Sequence, residues 1–173
     1  GFAKFSNIDV YQGTWITQAF SVSSRLPNQK FILSNPGIDT DLINVIVRQS
    51  ETSTIQQKYT LSDSLFEVTN KSTIYYLKEI NDERYEILFG DGVFGKKLEE
   101  PNYVTISYAV CAGPEADNID RFRFSGSLVD NNGIVINNGI SLITTNSASY
   151  GGKDIESTES IKKYSTRIYS SQN

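Results

Sequence analysis

The chain has 173 residues, 38% of them hydrophobic and 12% aromatic, so it can bury one good core or two small ones. Its 16 basic and 20 acidic residues give a net charge of -4, and no run of Lys or Arg is longer than two residues. This composition disfavours nucleic acid and anionic membranes as partners, and no apolar run approaches the roughly 20 residues needed to span a bilayer.

The chain contains no His and no Met. It therefore lacks the commonest general base and metal ligand, and its single cysteine, Cys111, has no imidazole to activate the thiol. We expect no catalytic residues, no metal site, no cofactor and no small-molecule substrate, and we interpret Cys111 as a small buried apolar residue. The missing initiator Met and the missing signal peptide predict an interior piece of a longer protein that is made in the cytosol.

Short runs typical of strands, separated by turn residues, fill the first half of the chain. Alternating or β-branched residues predict strands at 15–22, 31–33, 42–47, 58–61 and 73–80. In the last of these runs four apolar or aromatic residues follow one another, at 74–77. This continuous run predicts a strand that is buried on both faces.

The run from Tyr85 to Leu98 contains two nucleotide-binding patterns by letter. Both begin at Gly90: GxGxxG ends at Gly95, and GxxxxGK ends at Lys96. Both patterns bind phosphate through the start of a helix, and Pro101 would break such a helix in its second turn. Lys97 also occupies the position at which a phosphate loop has Ser or Thr. We therefore expect no nucleotide site here.

A glycine-rich turn is the better interpretation of the same run. Strands at 85–89 and 104–110 would form a β-hairpin, and Asp91-Gly92 would supply the positive backbone angles of its tight tip. The structural turn motif of this hairpin comprises Phe89, Gly90, Asp91, Gly92 and Gly95.

After Val110 the composition changes. Small and turn-forming residues at 112–117 mark a boundary, and two Asn-Gly pairs at 132–133 and 138–139 predict a tight β-meander. The stretch at 130–133 lacks the alternating ligands and closing Glu of a calcium loop, so it is interpreted as a turn. These changes predict a β-rich domain at 1–112, a meander or second subdomain at 113–150, and a helical segment at 151–173.

The final segment predicts one amphipathic helix. Asp154 or Ser157 can cap it, and Ile161, Tyr164 and Ile168 form one apolar stripe along it. A lone helix of about four turns is marginal in water, so this stripe is a candidate interface unless it packs on the domain itself.

The candidate acids form no recognisable catalytic pair. Five carboxylates come into question: Glu83, Glu86, Asp91, Glu99 and Glu100. None can be assigned to facing positions across a substrate, so solvated turns are the default interpretation. The 10 Tyr, 9 Phe and single Trp could instead stack on sugars. Most of them fall at alternating strand positions, which favours a core or a protein interface.

Two segments are distinctive in their letters. The first reads FGDGVFGKKL at 89–98 and NYVTISY at 102–108, and the second reads YGGKDIESTESIKKY at 150–164 and YSSQN at 169–173. Both resemble stretches of the baseplate wedge proteins of T-even-type contractile-tailed phages. They lie in the same order and at a similar separation as in that family.

The resemblance implies a structural subunit of the tail baseplate wedge that mediates protein–protein assembly of the baseplate ring. It implies other wedge subunits and a second copy of the protein as partners, assembly in the host cytoplasm and a place in the virion. The alternative is a carbohydrate-binding β-sandwich module of a tail fibre or secreted enzyme.

The strand runs themselves predict an all-β fold. We expect an antiparallel sandwich or barrel-like pair of sheets with about nine to eleven strands, followed by one C-terminal helix. A division into two β subdomains near residue 112 stays open.

Overall fold

The computed structural model describes residues 4, 6–26, 28–64, 66–136, 138–140, 147–154 and 162. These residues are mostly β, and their one short helix is a 3₁₀ turn at Gly113–Ala116. Their strands are β1 Thr14–Ser21, β2 Phe31–Leu33, β3 Ile38–Arg48, β4 Gln56–Leu61, β5 Ile74–Ile80, β6 Arg84–Phe89, β7 Tyr103–Val110, β8 Leu128–Val129 and β9 Val135–Ile136. The chain divides into two compact units, Gly1–Cys111 and Ala112–Asn173.

The first unit is a nearly closed, barrel-like sheet of seven strands in the order β1-β7-β3-β4-β5-β6-β2. Its neighbouring strands are antiparallel except β4 and β5, which pair in parallel at Thr60↔Ile74 and Leu61↔Tyr75. The all-antiparallel prediction is therefore wrong for this pair. The connection at 62–73 is long enough to return the chain in the same direction, because a parallel crossover needs about a dozen residues.

The predicted hairpin between 85–89 and 104–110 is also wrong. Strand β6 lies between β5 and β2, whereas β7 lies between β1 and β3, so the two strands are not neighbours. Four residues of β7 are buried, Val104, Ile106, Tyr108 and Ala109, and the strand is paired along its length with β1. A strand buried in this way needs a partner on each side, and the local turn residues do not decide which strands those are.

The barrel interior is filled by side chains that alternate along the strands. Val104, Ile106 and Tyr108 of β7 are fully buried, as are Leu33 and Val45. The aromatic side chains of the core pack edge to face, at ring-centroid distances of 5.4 Å for Phe20–Phe31, 5.0 Å for Phe31–Phe89 and 5.5 Å for Tyr59–Phe89. Each such pair contributes about 0.5–1.5 kcal/mol beyond its buried area.

Strand β5 is covered along its first half only. Tyr75 is buried and Ile74, Tyr76 and Leu77 are half-buried, whereas Lys78 and Glu79 are exposed. Because neighbouring residues of a strand point to opposite faces, the two exposed residues leave both faces open at this end of the strand. The prediction of burial on both faces is therefore wrong for the second half of β5.

Side chains join the two edges of the sheet, β1 and β2, which share no backbone ladder among the described residues. The amide of Gln18 donates to Ser34 Oγ at 2.8 Å and accepts from the Ser34 N–H at 3.3 Å. The amide of Gln29 donates to the Ser21 carbonyl at 2.8 Å and accepts from the Ser23 N–H at 3.3 Å. Each glutamine amide thus supplies the donor and acceptor that a peptide group of a neighbouring strand would supply. We call these contacts the glutamine seam.

The second unit contains a small two-stranded sheet. Strands β8 and β9 pair at Leu128↔Ile136 and Val129↔Val135, around a turn in which Gly133 has a φ of 80°. The first Asn-Gly pair therefore forms a hairpin as predicted. The second pair includes Gly139 with a φ of 77°, but the part of the predicted meander that follows it, at 140–144, falls outside the described residues except for Ile140.

The predicted C-terminal helix falls on 151–173, and of its residues only 151–154 and Lys162 are described. The apolar stripe of Ile161, Tyr164 and Ile168 lies outside the described residues.

Candidate functional site

The connection from β6 to β7 begins with a tight turn from Gly90 to Gly95, which we call the glycine turn. Gly92 has a φ of 95°, as predicted, and its N–H donates to the Gly95 carbonyl at 3.1 Å. Asp91 Oδ1 accepts the N–H groups of Val93 and Phe94, each at 2.8 Å. These bonds, first from Phe94 and then from Val93, lower the pKa of the Asp91 carboxyl. The carboxylate is therefore used to hold the turn together.

The glycines of this turn allow the backbone to approach itself. A Cβ on Gly90 would overlap the backbone of Gly95, and a Cβ on Gly95 would lie 3.2 Å from Ile74 Cγ1. Gly95 also has a φ of 93°, a conformation that other residues rarely adopt. The spacing that resembles a dinucleotide fingerprint thus follows from close packing between two backbone segments. It requires no phosphate to explain it.

The turn is fixed to the connection between β4 and β5. The Gly95 N–H donates to the Thr69 carbonyl at 3.1 Å, and the Lys96 N–H donates to the Ser72 carbonyl at 2.8 Å. The Lys96 ammonium donates to Gln57 Oε1 on β4 at 2.6 Å. These three bonds hold Lys96 in one place beside the sheet.

Lys96 lines a small cavity of about 80 Å³ together with the end of β3. Arg48, the last residue of β3, lines the same cavity, and the buried side chains of Val47 and Tyr59 contribute to its wall. The Arg48 guanidinium lies 4.8 Å from the centroid of the Tyr103 ring and donates to the Glu51 carbonyl at 2.9 Å. Two basic residues therefore line one cavity, which the sequence did not predict.

A larger cavity, of about 260 Å³, lies beside a bulge in β3. The pairing of β3 with β7 shifts between Asp39 and Asn44, and the cavity is lined from this bulge and from β4. Tyr59 and Tyr75 form part of its wall, and burial raises the pKa of both phenols. A phenol that stays neutral at neutral pH is neither a base nor a nucleophile.

The remaining candidate acids have structural partners or turn positions. Glu100 Oε2 accepts the Ser24 hydroxyl at 2.6 Å and the Ser24 N–H at 2.8 Å, and these two bonds lower the pKa of the Glu100 carboxyl. Glu83 stands in the turn between β5 and β6 with a φ of 57°. The Glu99 N–H donates to Asn102 Oδ1 at 3.0 Å, and Glu86 is buried in β6.

Cys111 is half-buried, so its predicted full burial is wrong. Its thiol donates to the Gln12 carbonyl at 3.0 Å. Burial first, and the charge of Asp39 second, raise the pKa of the thiol. A raised pKa keeps the group protonated at neutral pH, when it is a weak nucleophile.

Exposed apolar side chains near the glycine turn were missed by the sequence analysis. Val93 and Phe94 at the turn are 64% and 47% exposed, and Phe66 in the connection from β4 to β5 is 90% exposed. A pattern search for strand or helix periodicity does not register single apolar residues in short turns. The sequence did contain one indication of an exposed apolar side chain, namely the aromatic residue Phe94 in a turn that is too short to bury it.

The described residues contain no group of His, Cys, Asp and Glu that could hold a metal ion. No helix within the described ranges is long and apolar enough to cross a membrane.

Comparison with protein families identifies the chain. A family model described as "Bacteriophage baseplate wedge protein gp6, third domain" matches residues 21–118, which is more than half of the chain. The chain belongs to this family. The match covers β2–β7, the end of β1 and the glycine turn, so the baseplate wedge resemblance of the sequence is confirmed. Comparison with curated proteins finds no match.

Membership of the baseplate wedge family gives the chain a structural role in the phage tail baseplate, and with it a place in the virion. It also implies interaction with other baseplate components. The mostly β, barrel-like structure agrees with the all-β prediction.

Proposed function

We propose that this wedge domain mediates protein–protein assembly of the baseplate ring, by contacting other wedge subunits. The observation that carries the proposal is the exposed apolar hairpin of the second unit. Leu128, Val129, Val135 and Ile136 are 42%, 61%, 52% and 41% exposed, although all four lie in its strands. An isolated two-stranded hairpin is marginal in water, so a partner that covers this apolar surface would stabilise it.

The apolar stripe predicted for the C-terminal segment is the second proposed contact surface. Ile161, Tyr164 and Ile168 recur at the spacing of one helix face, opposite charged residues. In this proposal the stripe adds a second apolar contact surface to that of the hairpin. Two surfaces are the minimum that a subunit needs to take part in a closed ring.

Absence of catalysis is part of the proposal. The carboxylates of Asp91 and Glu100 are committed to turn hydrogen bonds, and the Cys111 thiol has a raised pKa. The glycine turn packs on its own backbone and has no helix after it to bind a phosphate. Asp91, Glu100 and the glycine turn thus have structural uses.

The proposed partners are other wedge subunits and, in the full-length protein, a second copy of itself. The charge balance of -4 and the lack of any basic run support an assembly that involves neither nucleic acid nor membrane. We propose that assembly takes place in the host cytoplasm before the subunit enters the virion. The carbohydrate-binding alternative is not favoured by the family match.

Sedimentation of the chain mixed with purified wedge subunits tests the proposal. We expect a faster-sedimenting complex, and we expect Val129→Asp combined with Val135→Asp to abolish it while the barrel stays folded. The matched control is Thr52→Asp, which adds a charge in an exposed turn of the first unit. A wild-type chain that forms no complex with any wedge subunit would refute the assembly role.

A further inference from the structure

We propose that the cavity between Arg48 and Lys96 binds the carboxylate of an acidic side chain presented by another protein of the baseplate. This inference rests on the proposed assembly function and names the chemistry of one contact. Besides the two basic residues, the cavity is lined by the polar residues Gln57 and Asn102 and by the apolar residue Ile55.

Both cations are held in place by the fold and keep unused donors. Arg48 stacks on Tyr103, and one of its five N–H donors goes to the Glu51 carbonyl at 2.9 Å. Lys96 has three donors, and one of them goes to Gln57 Oε1 at 2.6 Å. A site that is fixed before binding loses little conformational entropy when the anion arrives.

Neither cation has a carboxylate partner within the described part of the chain. The ion pair found there joins Arg84 to Asp82 at 3.1 Å, away from the cavity. Twenty acidic residues against sixteen basic ones make acidic partners plentiful in the sequence, yet none of those described neutralises Arg48 or Lys96. Two unneutralised cations at one cavity favour an external anion.

The volume of the cavity limits the size of the anion that it can hold. Its volume of about 80 Å³ is well below the roughly 300–1,000 Å³ of pockets that enclose a small-molecule ligand or cofactor. A nucleotide does not fit, whereas a carboxylate and the water around it do, since one water occupies about 30 Å³.

The surroundings favour a protein as the source of that carboxylate. Ile55 at the cavity is 58% exposed, and Val93 and Phe94 lie within three residues of Lys96 with 64% and 47% exposure. In a protein interface, an acidic residue flanked by apolar residues would contact the cations and at the same time cover these apolar side chains. Free phosphate would leave these side chains in water.

A pair of peptides tests the proposal directly. The chain is titrated with acetyl-Leu-Glu-Leu-amide and with acetyl-Leu-Gln-Leu-amide, and the backbone amide resonances of Lys96, Gln57 and Asn102 are followed by NMR. We expect the Glu peptide to bind roughly tenfold more tightly than the Gln peptide, because a charged hydrogen bond is lost in the latter. We expect added salt to weaken the Glu peptide selectively.

Two neighbouring lysines provide the matched control. Lys96→Gln is expected to weaken the Glu peptide roughly tenfold, and Arg48→Gln to do the same, whereas Lys97→Gln is expected to change its affinity less than twofold. Lys97 is exposed and does not line the cavity. Equal binding of the Glu and Gln peptides, or equal effects of Lys96→Gln and Lys97→Gln, would overturn the proposal.

Two further measurements complete the experiment: a titration with inorganic phosphate, and sedimentation of the Lys96→Gln variant with wedge subunits. Phosphate that binds at these residues while the Glu peptide does not would identify a site for a free anion and overturn the protein source. Lys96→Gln should also weaken the complex with wedge subunits. A wild-type complex that is unaffected by Lys96→Gln would overturn the cavity as a contact while leaving the assembly function intact. A wild-type chain that binds the Glu peptide but no subunit would refute the assembly function instead.

Discussion

Residues of the same kind, Val and Ile in strands, are buried in the first unit of this chain and exposed in the second. Val104 and Ile106 in the barrel are fully buried, while Ile134 and Val135 in the second unit are 62% and 52% exposed. Among the described residues of the second unit none is buried. A β-branched run becomes core only where enough strands surround it, and the two strands described in the second unit cannot by themselves enclose an interior. Exposed β-branched residues in the smaller unit therefore indicate surface that a partner is expected to cover.

Truncating one isoleucine in each unit gives the largest expected contrast. Ile106→Ala should lower the free energy of unfolding by about 2–5 kcal/mol, because it opens a cavity in a close-packed core. Ile134→Ala should change it by no more than about 0.5 kcal/mol, because that side chain is already in water. Urea denaturation followed by circular dichroism measures both. Equal losses would mean that the second unit has a core of its own.

The turn glycines sharpen the same contrast. Gly90→Ala should destabilise the barrel by about 1–3 kcal/mol, since the new Cβ meets the backbone of Gly95 and one of the two segments must move. Gly133→Ala meets no atom within 4 Å, and its φ of 80° adds strain to the small hairpin alone. Its effect on the cooperative melting of the barrel should be close to zero. A barrel that tolerates Gly90→Ala would contradict the packing that we assign to the turn.

The glutamine seam should contribute less than the core. Gln18→Ala removes the bonds to Ser34 and leaves the Tyr108 hydroxyl, 3.0 Å from Gln18 Oε1, with Asn35 as its partner. We expect a loss of about 1–2 kcal/mol, the typical cost of one or two hydrogen bonds. Gln56→Ala, on the exposed face of β4, is the matched control and should be neutral. Thermal melting of both variants distinguishes them.

Acid should affect the two units differently. Asp91 in the barrel and Asp130 in the second unit both have lowered pKa values, the former mainly through the Phe94 N–H and the latter mainly through the Ile134 N–H. A lowered pKa in the folded state adds stability above the ordinary carboxyl pKa of about 4, and this stability is lost as the pH falls through the lowered value.

Substitution by Asn isolates each acid. Asp91→Asn should reduce the dependence of barrel stability on pH below about 4, whereas Asp130→Asn should leave that dependence unchanged because its bonds stay within the small hairpin. The expected effect is small because Asp91 is exposed and Asp130 is only half-buried. Urea melts at neutral and acidic pH would contradict this prediction if the two variants behaved alike.

Local residue patterns predicted where the strands lie, and they did so for physical reasons. The runs at 31–33 and 58–61 fall within β2 and β4, and the Asn-Gly at 132–133 makes the turn between β8 and β9. Alternation and positive φ are properties of a few adjacent residues, so one sequence reveals them.

Strand partners could not be predicted in the same way. The Asp91-Gly92 turn forms, but the strands on either side of it pair elsewhere in the sheet. Pairing depends on which distant strands bury the same face, and the sequence of one segment does not contain that information. The cavity lined by Arg48 and Lys96 was missed for the same reason. These two residues line one cavity only after the fold has brought β3 and the glycine turn together.

The glutamine seam bears on how the protein behaves when many copies are present. A sheet with two open edges offers free N–H and carbonyl groups that recruit strands from neighbouring molecules, which leads to aggregation. Gln18 and Gln29 occupy three of these groups: the Ser21 carbonyl at the end of β1, the Ser23 N–H just after β1 and the Ser34 N–H just after β2. A barrel whose edges are already engaged can be concentrated without polymerising through its strands, so its contacts with other molecules are left to side-chain surfaces that distinguish one partner from another.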